Sequence, residues 1–93
     1  MDYLKIVEMI PAEKWGPLSD QLTAVMLGSK NDEKMPSQLA NAILLHMKNK
    51  TLGTKPGVAA MLEAAILLDA EKTVVALGEL QMLKIAEQII QKM

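Results

Sequence analysis

The chain has 93 residues, a hydrophobic fraction of 51% and a formal net charge of −1 at pH 7. It contains no Cys, no Arg and no Phe, and it has only one His, one Trp and one Tyr. This composition excludes disulfide frameworks, thiolate chemistry and clusters of imidazole ligands, and it argues against an enzyme, because most catalytic sites use such groups. We therefore expect no catalytic residue, no metal and no cofactor.

The length indicates one domain, covering 1–93. Aromatic residues make up 2% of the chain, so the core must be built from Leu, Ile, Val, Ala and the eight Met. These residues are typical of helix packing rather than of a sheet. The start of the chain has no pattern of a secretory signal, and the apolar stretches around Glu63 are shorter than the roughly 20 residues of a membrane span. We expect a cytoplasmic protein without a membrane segment, and the lack of Cys agrees with a reducing compartment.

Apolar periodicity and capping residues predict helices throughout the chain and give no strand signal. The first four are a helix from an N-cap at Asp2 to Ile10, a second from about Pro17 to a stop at Gly28, a third from Pro36 or Ser37 to Lys50, and a fourth from about Pro56 to Leu68. A fifth is expected from an N-cap at Asp69 to about Gln91, and residues 29–34 form the clearest exposed loop. The sequence therefore predicts an all-α, compact bundle of four or five helices with a long, central C-terminal helix.

Excess apolar surface favours a non-catalytic helical module that binds itself or another protein. The predicted fourth helix is apolar on nearly all sides, and the apolar arc of the fifth is wider than a two-helix seam requires. Glu63 is the only charge between Val58 and Leu68, so it reaches solvent, pairs with a Lys or marks a functional position. Trp15 either anchors a partner or, as we favour, packs over the end of the bundle. The candidate partner-binding residues are Leu45, Leu77, Leu80, Glu63 and Trp15.

A basic middle segment supports an alternative function. Residues 34–55 carry four Lys and no acid, whereas the segments on either side are net acidic. The Lys side chains precede the expected start of a helix, and unpaired N–H groups at a helix start favour anions. The candidate residues for an anion, phosphate or nucleic-acid site are His46, Lys48, Lys50, Thr54, Lys55 and Gly57. An ordinary solvated loop is the favoured interpretation, since no phosphate-loop motif is present, and the absence of Arg and a pI near 5.7 argue against nucleic acid.

Two segments of the chain resemble each other. Leu39–Leu45 and Leu62–Leu68 are identical at five of seven positions. A duplicated helical unit would explain the similarity, but two helices drawing on the same few apolar residues explain it more simply, because a stacked array needs at least three repeats.

Overall fold

The computed structural model describes residues 2–29 and 32–92, and this part of the chain contains helices but no strand. The helices are α1 (Tyr3–Glu8), α2 (Trp15–Leu27), α3 (Ser37–Lys48), α4 (Lys55–Glu79) and α5 (Leu83–Lys92), with short 3-10 turns at Ala12–Lys14 and Asp32–Lys34. The predicted all-α bundle of four or five helices is confirmed, and its long helix is the 25-residue α4, which precedes the shorter last helix α5. Of the predicted loop 29–34, residues 30 and 31 lie outside the described residues.

Several predicted helix boundaries are confirmed by the capping geometry. Asp2 caps α1, because its side chain accepts a hydrogen bond from the Lys5 N–H at 3.2 Å. Gly28 is the C-cap of α2. Asp69 leaves the helical conformation, with φ −160° and ψ 87°, and its Oδ1 accepts from the Lys72 N–H at 3.1 Å. The expected boundary between the fourth and fifth helices is therefore a kink within α4.

The helix expected to run from Asp69 to Gln91 is interrupted near its middle. Gln81 has a φ of 63°, and the Met82 N–H donates to the Leu77 carbonyl at 2.9 Å. This is the hydrogen bond of a Schellman motif, which ends a helix with a left-handed residue. The third helix ends in the same way, since Lys50 has a φ of 58° and the Thr51 N–H donates to the His46 carbonyl at 2.8 Å. In both places a polar residue occupies the position that glycine usually fills.

The core is centred on α4, against which α1, α2, α3 and α5 all pack. The apolar first half of α4 is covered by the chain itself, with Val58, Met61, Leu62 and Ala65 among the buried residues. Excess apolar surface on this segment was one reason to expect a partner, and that reason does not hold. No helix of the described residues is both long enough and apolar enough to cross a membrane.

The two similar segments lie in different surroundings. In α4, Leu62 and Leu68 are buried, whereas their counterparts in α3 are half-buried at Leu39 and exposed at Leu45. A similar apolar pattern therefore builds core in one helix and leaves surface in the other.

Candidate functional site

Two of the predicted contact residues belong to the core or its edge. Leu77 is completely buried, so it cannot be a surface contact of this fold. Leu80 is half-buried against the core, and its carbonyl accepts a hydrogen bond from Lys14 Nζ at 3.3 Å. The prediction places residues 69–91 in one continuous helix, whereas the break at Gln81 separates α5 from α4, so the face assigned to Leu77 from the residues beyond the break is wrong.

Trp15 and Leu45 lie in contrasting environments. The indole N–H of Trp15 donates to the carbonyls of Ile10 at 3.1 Å and Val7 at 3.3 Å, and its ring packs half-buried against the core. These contacts join the start of α2 to the end of α1, as the favoured interpretation expected. Leu45 is 58% exposed, on the outer side of α3.

The basic segment is partly occupied by contacts within the chain. Lys55 forms an ion pair with Glu8, which joins the start of α4 to the end of α1. The Thr54 hydroxyl donates to the Thr51 carbonyl at 2.6 Å. Lys48 and Lys50 are exposed. Lys55 and Thr54 therefore already have partners, and so does His46, whose Nδ1 is hydrogen-bonded to Thr51 Oγ1.

Gly57 has a structural reason to be glycine. A Cβ at this position would lie 2.2 Å from the Thr51 carbonyl oxygen and 2.8 Å from Leu52 Cα, which are closer than atoms can approach. The missing side chain lets the first turn of α4 pack directly on the backbone of the preceding loop. Gly57 is buried there. The lack of a side chain at this position is therefore explained by the packing of α4 on the loop and not by the approach of a phosphate.

The least covered helix of the bundle is α3. Of its 12 residues only Ile43 is buried. Leu44, Leu45 and Met47 are 60%, 58% and 54% exposed. Scattered exposed apolar residues are ordinary, but apolar residues concentrated on one poorly packed helix are typical of an interaction surface.

An apolar pocket of about 140 Å³ lies on one side of α3, where this helix meets α2 and α4. Its only polar lining side chain, Thr23, donates its hydroxyl to the Ser19 carbonyl at 2.8 Å. Leu27 and Met47 stand at the mouth, and Leu27 is 83% exposed. Leu44 precedes Met47 by three residues and is therefore its neighbour on the helix surface. We call the pocket and these three exposed residues the α2–α3 surface; the rest of the pocket lining is Met26, Ile43, Leu52 and Met61.

A long groove lies on the other side of α3, between this helix and α4 with the start of α1. It consists of two adjoining concavities of about 690 Å³ and 340 Å³ that share Ala42 and Glu63. We call it the α3–α4 groove. Its larger part is lined by Asp2, Tyr3, Leu4, Ala42, His46, Pro56, Ala59, Ala60 and Glu63, and its smaller part by Pro36, Gln38, Leu39, Ala42 and Glu63.

The groove brings together two residues that stand apart in the sequence analysis, His46 and Glu63. Glu63 is half-buried, and no hydrogen bond or ion pair joins it to another described residue. Of the interpretations offered for Glu63, the Lys partner is therefore excluded within the described chain. His46 is half-buried, and a 2.8 Å hydrogen bond joins its Nδ1 to Thr51 Oγ1.

Sequence reasoning did not place Tyr3 or Asp2 in a site. Burial raises the pKa of the Tyr3 hydroxyl above its ordinary value, and the negative charge of Glu63 raises it further. The Tyr3 phenol and the Glu63 carboxylate are thus close enough to interact. No local sequence motif predicts that Tyr3 and Glu63 are neighbours, because the packing of α1 on α4 brings them together.

In the part of the chain that the structure describes, no three His, Asp or Glu side chains are grouped to hold a metal ion. No protein-family profile, curated protein or solved structure is significantly similar to this chain.

Proposed function

We propose that this protein is a non-catalytic helical interaction module that associates with a second copy of itself through the α2–α3 surface. One observation carries the proposal: the exposed Leu27 and Met47 line the apolar pocket, and the exposed Leu44 is the neighbour of Met47 on the helix surface. A two-fold symmetric dimer uses the same patch on both subunits, so each patch must supply both a projecting side chain and a recess to receive one.

The pocket suits a single aliphatic side chain. Its volume of about 140 Å³ is close to that of apolar protein cavities that stay dry and accept a small hydrocarbon. Three of its lining residues are Met, at 26, 47 and 61, and the flexible, polarisable Met side chain adapts to the shape of what it contacts.

The expected affinity is modest. Burying Leu27, Leu44 and Met47 on each of two subunits contributes roughly 1.5–3 kcal/mol per side chain. Association costs about 4–15 kcal/mol in lost translational and rotational freedom. With all six side chains counted, the midpoints of these two ranges differ by about 4 kcal/mol, which corresponds to a dimer with a dissociation constant on the order of 1 mM.

Sedimentation equilibrium of the purified chain, extended to millimolar concentration, tests the proposal. We expect a monomer–dimer equilibrium that Leu44→Lys shifts by at least about tenfold toward monomer, because a buried ammonium without a partner is costly. Leu27→Lys is expected to act in the same direction. Circular dichroism checks that the variants keep their helix content.

Leu45→Lys is the matched control. Leu44 and Leu45 are adjacent, chemically identical and equally exposed, at 60% and 58%, but Leu45 lies on the side of α3 away from the pocket. A monomer at millimolar concentration, or an equal effect of the two substitutions, would defeat the proposal. An effect confined to Leu45→Lys would move the interface to the outer side of α3.

A further inference from the structure

We propose that the α3–α4 groove binds a segment of a partner protein that presents a Lys or Arg side chain between apolar residues, with Glu63 as the group that receives the cation. This binding lies on the opposite side of α3 from the α2–α3 surface, so it does not depend on the proposed self-association.

The groove is long enough to hold the side chains on one face of a partner helix. On α3 its lining runs from Pro36 to His46, ten residues apart, which corresponds to roughly 15 Å at the helical rise of 1.5 Å per residue. That length matches about three turns of a partner helix. Alanines form the floor, at 42, 59 and 60, and small residues allow a neighbouring backbone to approach closely.

The charged side chains that line the groove favour a cationic side chain as its occupant. Its described lining contains two carboxylates, Asp2 and Glu63, and no Lys, although the chain has ten Lys. Asp2 is engaged as the N-cap of α1, whereas Glu63 has no partner in the described residues. An incoming cation would therefore meet a carboxylate that no hydrogen bond or ion pair within the described residues already occupies.

Glu63 also stands where the two parts of the groove meet, so a cation bound there would have apolar wall on both sides. Lys and Arg place their aliphatic stems along apolar surface while the charged head reaches a polar group. The Tyr3 ring lines the same wall, and an aromatic face attracts a cation, Arg most often. Carboxylate, aromatic ring and alanine floor together fit such a side chain better than an anion or a neutral ligand.

The experiment uses two probes, followed by amide NMR of the full chain at low salt. The first is n-butylguanidinium, the head and stem of an Arg side chain. The second is a side-chain-stapled amphipathic helix of about three turns with one Arg between two Leu, and its matched form with Gln in place of Arg. We expect the stapled Arg helix to shift the amides of Ala59, Ala60 and Glu63 saturably, and to bind at least about tenfold more tightly than n-butylguanidinium.

Glu63→Gln should weaken binding of the Arg helix about fivefold, the effect of losing one partly exposed ion pair. Glu71→Gln, an exposed carboxylate on the same helix, is the control and should leave binding unchanged. The shifts should persist in Leu44→Lys, which separates this groove from the self-association surface.

The proposal would be overturned by no saturable shift with the Arg helix, by equal binding of the Arg and Gln helices, or by an equal effect of Glu63→Gln and Glu71→Gln. Binding of n-butylguanidinium as tight as that of the Arg helix would also overturn it, because the groove would then accept a free guanidinium rather than a protein segment.

Discussion

The substitution Gly57→Ala tests the close contact between α4 and the loop before it. The added Cβ would lie 2.2 Å from the Thr51 carbonyl oxygen, so backbone rather than a flexible side chain must move. Overpacking of this kind costs about 1–3 kcal/mol or more, and with rigid backbone we expect the upper end. Alanine recovers up to about 1 kcal/mol of helix propensity. The net loss should be about 2 kcal/mol in the free energy of unfolding.

Urea denaturation followed by circular dichroism measures this loss. For a chain of this size, a loss of about 2 kcal/mol lowers the melting temperature by roughly 8–16 °C, and the urea midpoint falls without a change in the m-value. Gly16→Ala is the matched control, since nothing lies within 4 Å of its added Cβ, and it should raise stability by about 0.4–1 kcal/mol. If both substitutions raise stability alike, the inferred packing of α4 on the loop is wrong.

Three further predictions follow from the core, a helix end and the groove. Leu77→Ala should lower the free energy of unfolding by about 2–5 kcal/mol in urea titrations, because Leu77 is fully buried; a loss below about 1 kcal/mol would contradict its place in the core. Gln81→Gly should raise the melting temperature by several degrees, corresponding to about 0.5–1 kcal/mol, because it relieves a left-handed residue with φ 63°; no rise would mean that the Gln side chain compensates. Tyr3, the only tyrosine, should titrate at 295 nm with a higher pKa in the native state than in urea, and Glu63→Gln should reduce the difference only in part, since burial is the larger cause. The Tyr3 hydroxyl keeps its proton to a higher pH in the folded state than in the unfolded state, because its native pKa is raised. The free energy of unfolding should therefore fall as pH rises above about 10. Tyr3→Phe should remove the part of this fall that is due to Tyr3.

The sequence predicts helix starts well because their chemistry is local. A side-chain oxygen at Asp2 or Asp69 accepts an N–H three residues later, and this contact needs nothing from the rest of the fold. Helix ends are harder to predict here. Lys50 and Gln81 end helices in the left-handed conformation, which is usually occupied by glycine. Their residue types therefore do not predict a helix end.

Surface positions depend on tertiary packing and could be predicted only in part. Leu45 is exposed, as its prediction as a contact residue requires, whereas Leu77 is buried in the core. The prediction for Leu77 used one helix through residues 69–91, but α4 ends at Glu79. Glu63 stood out in the sequence as a lone charge in an apolar segment. Its neighbour Tyr3 did not, since 60 residues separate the two in the chain and only the packing of α1 on α4 brings them together.

The arrangement of the bundle around α4 also determines how the fold should open. Each outer helix depends mainly on α4 rather than on the other outer helices, so one of them can detach without dismantling the rest. The helix with the least to lose is α3, which contributes a single buried residue. Local opening is easiest where few apolar contacts are broken. The amide protons of α3 should therefore exchange with solvent well before those of α4, so the helix that borders both proposed binding surfaces should also be the one whose backbone opens most often.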